Sequence, residues 1–206
     1  VMDGCLNGFS EEEDAYILDM VRAGQRPMNW NVLTIDSRKP DDYRRQLEVG
    51  AKAAEEGLAV VALTMPTLPG MTQSFGTHCG LWLLPGWRHI MGLPLAQKQE
   101  YLAQSGVRHM LAELAAAETG ALSRLTAWDR FEIGETFSEA NEGLTGRVVE
   151  DIAAERNQSS FDTLVDIVAN DDFRTVLWPL PTDDDDASWE LRRQVWDGTL
   201  AMLGGS

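Results

Sequence analysis

Apolar and polar positions along the first part of the chain predict a regular succession of helices and short strands. Ser10 followed by three glutamates is typical of a helix start, and apolar positions from Ala15 to Val21 continue the helix. The stretch MNWNVL then predicts a buried strand, and a second helix is predicted from Pro40 to Gly57. LAVVALTMP is apolar on both faces, as parallel strands covered by helices are. The order helix, strand, helix, strand therefore predicts an α/β fold with parallel strands.

The middle of the chain is less regular. Residues 67–94 are rich in glycine, proline and aromatic residues, which favours a long loop that is functional or packed as a lid. The stretches LTAWDRFEIG, FRTVLWP and the closing LAML predict further strands. Further helices are predicted near 95–104, 106–118, 146–156, 160–169 and 187–195. No domain boundary or internal repeat is visible, so the middle is interpreted as an elaboration of one α/β domain.

Composition and charge narrow the classes of function. Hydrophobic residues make up 44% of the 206 residues, which indicates a globular chain. The net charge of −16 argues against binding to nucleic acid or to an anionic membrane, since no basic stripe is present. The sequence contains neither a signal peptide nor an apolar stretch of the roughly 18 residues that a spanning helix needs. Cys5 and Cys79 match no zinc or redox spacing, so the chain is expected to be cytoplasmic with reduced cysteines.

The histidines form no recognisable ligand or catalytic motif. His89 and His109 are interpreted as ordinary helix residues, whereas His78 lies between glycines on the long loop, beside Cys79. Adjacent residues of one loop rarely face each other as a nucleophile and its base do, so His78 is expected to contact a ligand rather than to catalyse. No nucleophile elbow, phosphate-binding loop or dinucleotide fingerprint is present in the sequence.

Two asparagines stand out in the first predicted strand. Asn29 and Asn31 alternate along a segment that otherwise requires apolar residues. Buried amides need partners, and these are either neighbouring strands and loops or a ligand. The second reading is supported by position, because parallel α/β folds place their sites at the ends of strands.

Two acidic or glycine-rich stretches near the end of the chain have simple interpretations. The run Asp183–Asp186 predicts a solvated helix start, since the alternating ligands and the glycine of a calcium loop are missing. Gly204, Gly205 and Ser206 follow the closing strand. They are interpreted either as a flexible tail or cloning scar, or as a functional turn at the end of a strand.

The order of the motifs resembles the N-acyl-D-amino-acid deacylase group of the amidohydrolase superfamily, also called amidohydrolase family 3. The resemblance covers nearly the whole chain, and the order and spacing of its pieces are more specific than any one of them. The pieces are GQRPMNWNVL, LEVGAKAAEEGLAVVALTMP, LPGWRHIMGLPLAQKQEYLAQSGVRHML, GLTGRVVEDIAAERNQSSFDTLVDIVANDDFRTVLW and WDGTLAMLGGS.

The resemblance implies a fold and a chemistry. Family members form a TIM-like (β/α)8 barrel and use a bound divalent metal, commonly zinc, to activate water against an amide. The chain would then be a fragment, residues 1–206, of the catalytic barrel domain, with about three parallel strands and a helical elaboration. The last glycines would form the mouth of the eighth strand, one residue before the aspartate that the family uses as metal ligand and base.

The family's other metal ligands have no counterpart in this sequence. Its first-strand H-x-H and its fifth-strand histidine would lie before Val1, and the sixth-strand ligand position holds Asn31, Val32 and Leu33. TMPTLPG matches the turn after the seventh strand. The resemblance therefore implies pocket positions for Asn31, Thr64 and Ser206 and no metal ligand. Together with Asn29 and His78, which the strand and loop patterns single out, these residues form the predicted substrate pocket.

We therefore expect the chain to be part of a metal-dependent amidohydrolase that cleaves the amide bond of N-acyl (D-)amino acids. Zinc or another divalent metal is expected in the longer parent protein, and neither metal nor activity is expected in this chain alone. The remaining barrel segments or another copy of the chain are the expected protein partners, and a small amide is the expected substrate. The alternative is a non-catalytic barrel relative that binds a small acyl compound or a protein partner.

Overall fold

The chain divides into two compact units. The computed structural model describes residues 2–5, 10–68, 70–118 and 121–204. One unit is Val1–Pro69 with Thr182–Ser206, and the other is Gly70–Pro181, inserted between them along the chain. In chain order the elements are β1 (Met2–Cys5), α1 (Glu11–Gly24), β2 (Met28–Asn31), α2 (Pro40–Glu55), β3 (Val60–Thr64), α3 (Trp87–Met91), α4 (Leu95–Leu102), α5 (Ser105–Ala116), β4 (Phe131–Ile133), α6 (Val149–Arg156), α7 (Ser160–Asn170), β5 (Leu177–Pro179), α8 (Asp186–Trp196) and β6 (Ala201–Leu203).

The first unit is built on a sheet of four parallel strands in the order β1-β2-β3-β6. Met28 pairs with Val60, and Ala62 pairs with Ala201, so neighbours in the sheet follow one another in chain order. The mixed α/β fold and the parallel pairing of the three predicted strands are thus confirmed. β1 was not predicted, because its sequence MDGC has no apolar run and contains two residues that are rare in strands.

The helices of the first unit begin where the sequence predicts. The side chain of Ser10 accepts a hydrogen bond from the amide of Glu13, and the Glu13 carboxylate accepts one from the amide of Ser10. This capping box satisfies two donors that the first helical turn would otherwise leave unpaired. Pro40 starts α2, where its missing N–H costs nothing.

One face of the parallel sheet carries the hydrophobic core of this unit. Met28, Trp30, Val60, Ala62 and Ala201 alternate along their strands and pack against apolar side chains of α1 and α2. Leu191 and Val195 of α8 also pack against this cluster. The three helices of this unit thus lie against the same face of the sheet, which we call the helix-covered face. The opposite face of β2, β3 and β6 presents Asn29, Val61, Leu63 and Met202, which we call the open face.

The second unit has a core of its own. Five short helices, α3 to α7, surround an antiparallel pair of strands, β4 and β5. The rings of Trp87 and Trp128 stack at 5.3 Å between centroids, and Phe161 lies edge-on to Trp87. The two strands predicted in this part of the sequence therefore exist, but they do not belong to the parallel sheet.

The expected long loop over 67–94 is interrupted by two short helical elements. A turn of 3-10 helix covers Gly80–Leu83, and α3 follows. Leu81, Leu84 and Trp87 are buried and belong to the core of the second unit. The glycines and prolines of this segment separate short packed elements, which is why its composition is typical of a loop although its apolar residues form a core.

None of the helices in the described parts of the chain is both long and apolar enough to cross a lipid bilayer.

Candidate functional site at the carboxyl edge of the sheet

The carboxyl ends of the parallel strands are the place where such sheets carry their sites. β2 ends at Asn31, and β3 ends at Thr64, which pairs with Leu203 of β6. The amide of Gly204 donates a hydrogen bond of 3.0 Å to the carbonyl of Thr64. The ends of β3 and β6 are therefore held side by side at one edge of the sheet. Ser206, the predicted residue that follows, lies outside the described residues.

The predicted asparagines lie on the open face of the sheet. Asn29 pairs in register with Val61 and is half-buried, and Asn31 follows it on the same side, one pleat nearer the carboxyl end. Asn31 is buried and makes contacts within the fold. The two amides thus form a polar strip that runs toward the carboxyl edge, beside the apolar side chains of β3.

Thr64 lies at the expected end of the sheet, with its side chain on the other face. It continues the alternation of Val60 and Ala62, so its side chain points to the helix-covered face and is buried. The backbone of Thr64 therefore borders the carboxyl edge, whereas its hydroxyl belongs to the packed side of the strand.

A polar network that the sequence did not reveal lies at the same edge. The amide of Ser37, in the loop after β2, donates to the hydroxyl of Ser188 at 2.9 Å. The Ser37 hydroxyl donates to Asp185 at 3.0 Å, and Asp185 also accepts from the amide and the hydroxyl of Ser188, at 2.9 and 2.6 Å. These bonds join the loop that follows β2 to the first turn of α8. Chemically the network consists of a capping carboxylate and two hydroxyls, with no imidazole or thiol among its members.

The carboxylates of Asp36 and Asp185, which lie at this edge, are held in the ionised form. The hydrogen bonds from the side chain and the amide of Ser188 lower the pKa of Asp185 to about 2. A two-pronged hydrogen bond from Arg38, with distances of 2.9 and 2.6 Å, lowers the pKa of Asp36 against the opposing effects of burial and of the nearby charge on Asp185. Carboxylates kept ionised in this way accept hydrogen bonds and orient neighbouring groups, but they are poor general acids.

The run Asp183–Asp186 is more than a solvated helix start. The run does begin a helix, and Asp185 is the N-cap residue of α8. Asp183, in contrast, pairs with the guanidinium of Arg192, and the Arg192 side chain is only 5% exposed. Arg192 also donates to the Asp183 carbonyl at 2.9 Å and lies over the ring of Trp189. This ion pair between Asp183 and Arg192 could not be recognised in the sequence, because a buried arginine on a helix follows the same pattern of residues as an exposed one.

His78 belongs to the second unit, whereas the asparagines and Thr64 belong to the first. Its side chain is exposed, and its ring lies 4.7 Å from that of Trp82. The neighbouring thiol of Cys79 donates to the carbonyl of Ser74 at 3.1 Å. The contribution of His78 to a pocket with the residues of the first unit stays a prediction.

A cleft of about 590 Å³ lies on the second unit, between α5, α6 and α7. Arg108, one of the residues that line it, forms ion pairs of 2.7 Å with Asp166 and 3.7 Å with Asp162. The positive charge of Arg108 is therefore already neutralised. None of the predicted site residues lines this cleft, whose lining residues are Arg108, Arg156, Gln158, Asp166, Ala169 and Asn170.

Within the described residues, no group of three or more histidine, cysteine, aspartate or glutamate side chains is arranged to hold a metal ion. The donors at the carboxyl edge are instead used by one another and by Arg38 and Arg192. The described part of this chain therefore does not fit a catalytic metal by itself.

No protein-family model matches the chain, and no curated protein and no solved structure is significantly similar to it.

Proposed function

We propose that this chain forms part of a metal-dependent amidohydrolase with a (β/α)8 barrel. The observation that carries the fold is the order β1-β2-β3-β6 of parallel strands with the unit's helices on one face. Barrels place consecutive strands side by side and their helices outside, whereas doubly wound sheets reverse the strand order and carry helices on both faces. The four strands are then half of a barrel, and the open face is its interior.

The reaction that we propose is hydrolysis of the amide bond of an N-acyl amino acid, with a D-amino acid as the preferred class. This proposal depends on the motifs shared with the deacylases. The chemistry of the open face is compatible with it, because the amide side chains of Asn29 and Asn31 lie beside Val61 and Leu63. A polar strip next to apolar side chains suits a substrate that has both an amide and an acyl chain.

Zinc or another divalent metal would supply an activated water to such a reaction. The described residues of this chain offer no ligand group for it, so its ligands are proposed to lie on other segments of a longer protein. The residues described here would bind and orient the substrate: the asparagines from the strand, the backbone of Thr64 from the edge, and His78 and Ser206 from the flanking segments.

A second candidate is a non-catalytic barrel relative that binds a small acyl compound or a protein partner. The observation in its favour is the stretch Asn31, Val32 and Leu33, which holds no metal ligand where many deacylases carry one. Leu33 is 3% exposed and packs in the core of the helix-covered face. A metal ligand at Leu33 would disturb this core, which disfavours a two-metal centre that uses this position.

The test is a deacylation assay on the longer protein that contains this sequence, with N-acetyl-D-amino acids, before and after removal and restoration of zinc. The expected result is release of the free amino acid that stops on chelation and returns with the metal. The 206-residue chain alone, as a control, is expected to be inactive. Binding of the acyl compound without hydrolysis, in either metal state, would favour the second candidate and overturn the first.

A further inference from the structure

The second unit contains a buried carboxylate that has no counter-ion among the described side chains. Asp171 is 0% exposed and follows α7 directly, as its C-cap residue. The arginine nearest to it along the chain, Arg174, is used elsewhere: its Nε donates to the Asp171 carbonyl at 3.1 Å, and its guanidinium lies 5.0 Å from the centre of the Phe137 ring. Buried charges in proteins are normally paired with an opposite charge or coordinate a metal ion.

The position of Asp171 on α7 adds to the need for a cation. The carboxyl end of a helix carries a partial negative charge, so an anionic side chain is disfavoured there and a cation is favoured. The last turn of α7 contains no basic residue. Burial raises the pKa of Asp171, but the polar side chains of Ser138, Thr175 and Asn141 beside its carboxylate lower it below its ordinary value. The aspartate is therefore ionised, and its charge adds to the negative end of the helix.

Two oxygen atoms of the side chains beside this carboxylate have no hydrogen-bond partner among the described residues. They are the Oδ1 of Asn141, a residue that is 0% exposed, and the buried Oγ of Ser138. The Asn141 amide cannot simply be reversed, because its Nδ2 donates to the carbonyl of Ile167 at 2.7 Å and the reverse orientation would bring two oxygens together. A buried oxygen that lacks both a donor and a cation destabilises the folded chain.

We propose that a monovalent alkali cation binds between the end of α7 and the turn over residues 136–141, with ligands from the Asp171 carboxylate, Asn141 Oδ1 and Ser138 Oγ. The carboxylate accepts hydrogen bonds from the Ser138 amide at 2.9 Å and the Thr175 hydroxyl at 2.6 Å, which leaves part of its about four lone-pair sites for a cation.

The charge of the ligands decides the class of cation. One carboxylate with neutral oxygens balances a single positive charge, whereas calcium sites usually recruit further carboxylates. The cation would tie the turn after β4 to the end of α7. All the residues involved belong to the second unit, and the inference does not depend on the proposed hydrolase activity.

The experiment is thermal unfolding of the 206-residue chain in sodium, potassium and choline chloride at one ionic strength. Choline is too large for a buried site and controls for general effects of salt. Sodium or potassium is expected to raise the melting temperature by about 3 °C or more over choline, and the rise should saturate, because an ion that binds only the folded chain stabilises it. The larger of the two responses identifies the preferred alkali cation.

Two serine variants test the ligands. Ser138→Ala removes one proposed ligand, and Ser160→Ala, at a half-buried serine at the other end of α7, is the matched control. Ser138→Ala is expected to lose most of the response to sodium and potassium, whereas Ser160→Ala keeps it. In choline, Ser138→Ala should be at least as stable as the wild type, because the hydroxyl that it removes has no hydrogen-bond partner.

Hydrogen exchange of the wild-type chain gives a local readout. The Ser138 amide, which donates to the Asp171 carboxylate, is expected to exchange more slowly in sodium or potassium than in choline. Equal melting temperatures in the three salts, the result expected if buried water satisfies the two oxygens, would overturn the proposal. So would a response that Ser138→Ala keeps in full, or exchange of the Ser138 amide at the same rate in all three salts.

Discussion

At the residue scale, the second unit contains a buried lysine. Lys98, on α4, is 5% exposed, donates to the carbonyl of Phe75 at 2.6 Å and lies 5.7 Å from the ring centre of Phe173. No carboxylate lies within ion-pair distance of Lys98 among the described side chains. Burial lowers the pKa of Lys98 below its ordinary value, against the opposing electrostatic effect of nearby Cys79.

This environment predicts a distinct dependence of stability on pH. Because the lysine is more acidic in the folded chain, the unfolded chain binds more protons just below the ordinary lysine pKa. The free energy of unfolding should therefore rise with pH across that alkaline window, relative to the variant Lys98→Met. Urea unfolding at several alkaline pH values measures the difference between the two. Lys39→Met, at an exposed lysine, is the matched control and should show no such pH-dependent difference.

The ion pair of Arg192 and Asp183 gives a second prediction at this scale. Arg192→Met leaves the carboxylate of Asp183, of which 14% is exposed, without its cation. Breaking a buried pair on one side costs about 3–5 kcal/mol of unfolding free energy. Arg193→Met, at the next residue of α8, breaks an exposed pair with Glu190 and should cost less than about 1 kcal/mol. Equal losses of unfolding free energy for the two variants, measured with urea, would show that the contribution of the ion pair to stability does not depend on its burial.

At the scale of elements, the packing of α2 on β3 depends on Gly50. An added Cβ at this position would lie 2.9 Å from the carbonyl oxygen of Val60 and 3.3 Å from the side chain of Leu200. Gly50→Ala should therefore destabilise the chain, because an overpacking cost of about 1–3 kcal/mol outweighs a gain of about 1 kcal/mol in helix propensity.

Gly106, in α5, is the matched control for Gly50. Nothing lies within 4 Å of the position of its Cβ, so Gly106→Ala should stabilise the chain by up to about 1 kcal/mol. Thermal unfolding of the two variants shows whether Gly50→Ala lowers the melting temperature and Gly106→Ala raises it. A melting temperature that rises for Gly50→Ala would contradict the close approach of α2 to β3.

The N-cap of α8 gives a prediction about acid stability. The pKa of Asp185 is about 2 in the folded chain and therefore lies below the value of an unperturbed aspartate. The stability that its ionised form contributes is present above pH 4 and is lost as pH falls toward about 2. Asp185→Ala should consequently be less stable than the wild type at neutral pH, and the difference should shrink on acidification. Asp186→Ala, at an exposed neighbour, should show a smaller and flatter difference.

The elements that could be predicted from the sequence are those with a local signal. Capping residues and helical spacing predicted α1, α2 and α7, and apolar runs predicted β2, β3 and β6. β1 could not be predicted, since it is a strand only through pairing with β2. The short helical elements within residues 67–94 were not predicted for a related reason, because a core made of short segments has no period long enough to detect.

The candidate site was less predictable than the fold. Alternation along β2 indicated Asn29 and Asn31 as polar positions of a strand, and this strand is present. It could not show that the side chain of Thr64 lies on the other face, because that depends on the register of β3. Nor could it reveal the network of Ser37 with Asp185, which are far apart along the chain and meet only when α8 packs near the loop after β2.

At the scale of the whole molecule, the point in the chain where the second unit is inserted bears on where the site lies. Residues 70–181 leave the first unit after β3 and return before α8, which is a strand-to-helix connection. Connections of this type lie at the carboxyl ends of the strands, where barrels carry their sites. The proposed role of the carboxyl edge as a substrate-binding edge is therefore the central claim about this chain.

A titration of the isotope-labelled 206-residue chain with N-acetyl-D-leucine, followed by NMR, tests this claim most directly. D-leucine and acetate, added separately, are the controls for the amide. We expect saturable shift changes for the amides of Asn31, Leu33, Thr64 and Gly204 at the carboxyl edge, with the intact amide only. Changes confined to Met28, Val60 and Ala201 at the amino edge, or no change at saturating ligand, would contradict substrate binding at the carboxyl edge.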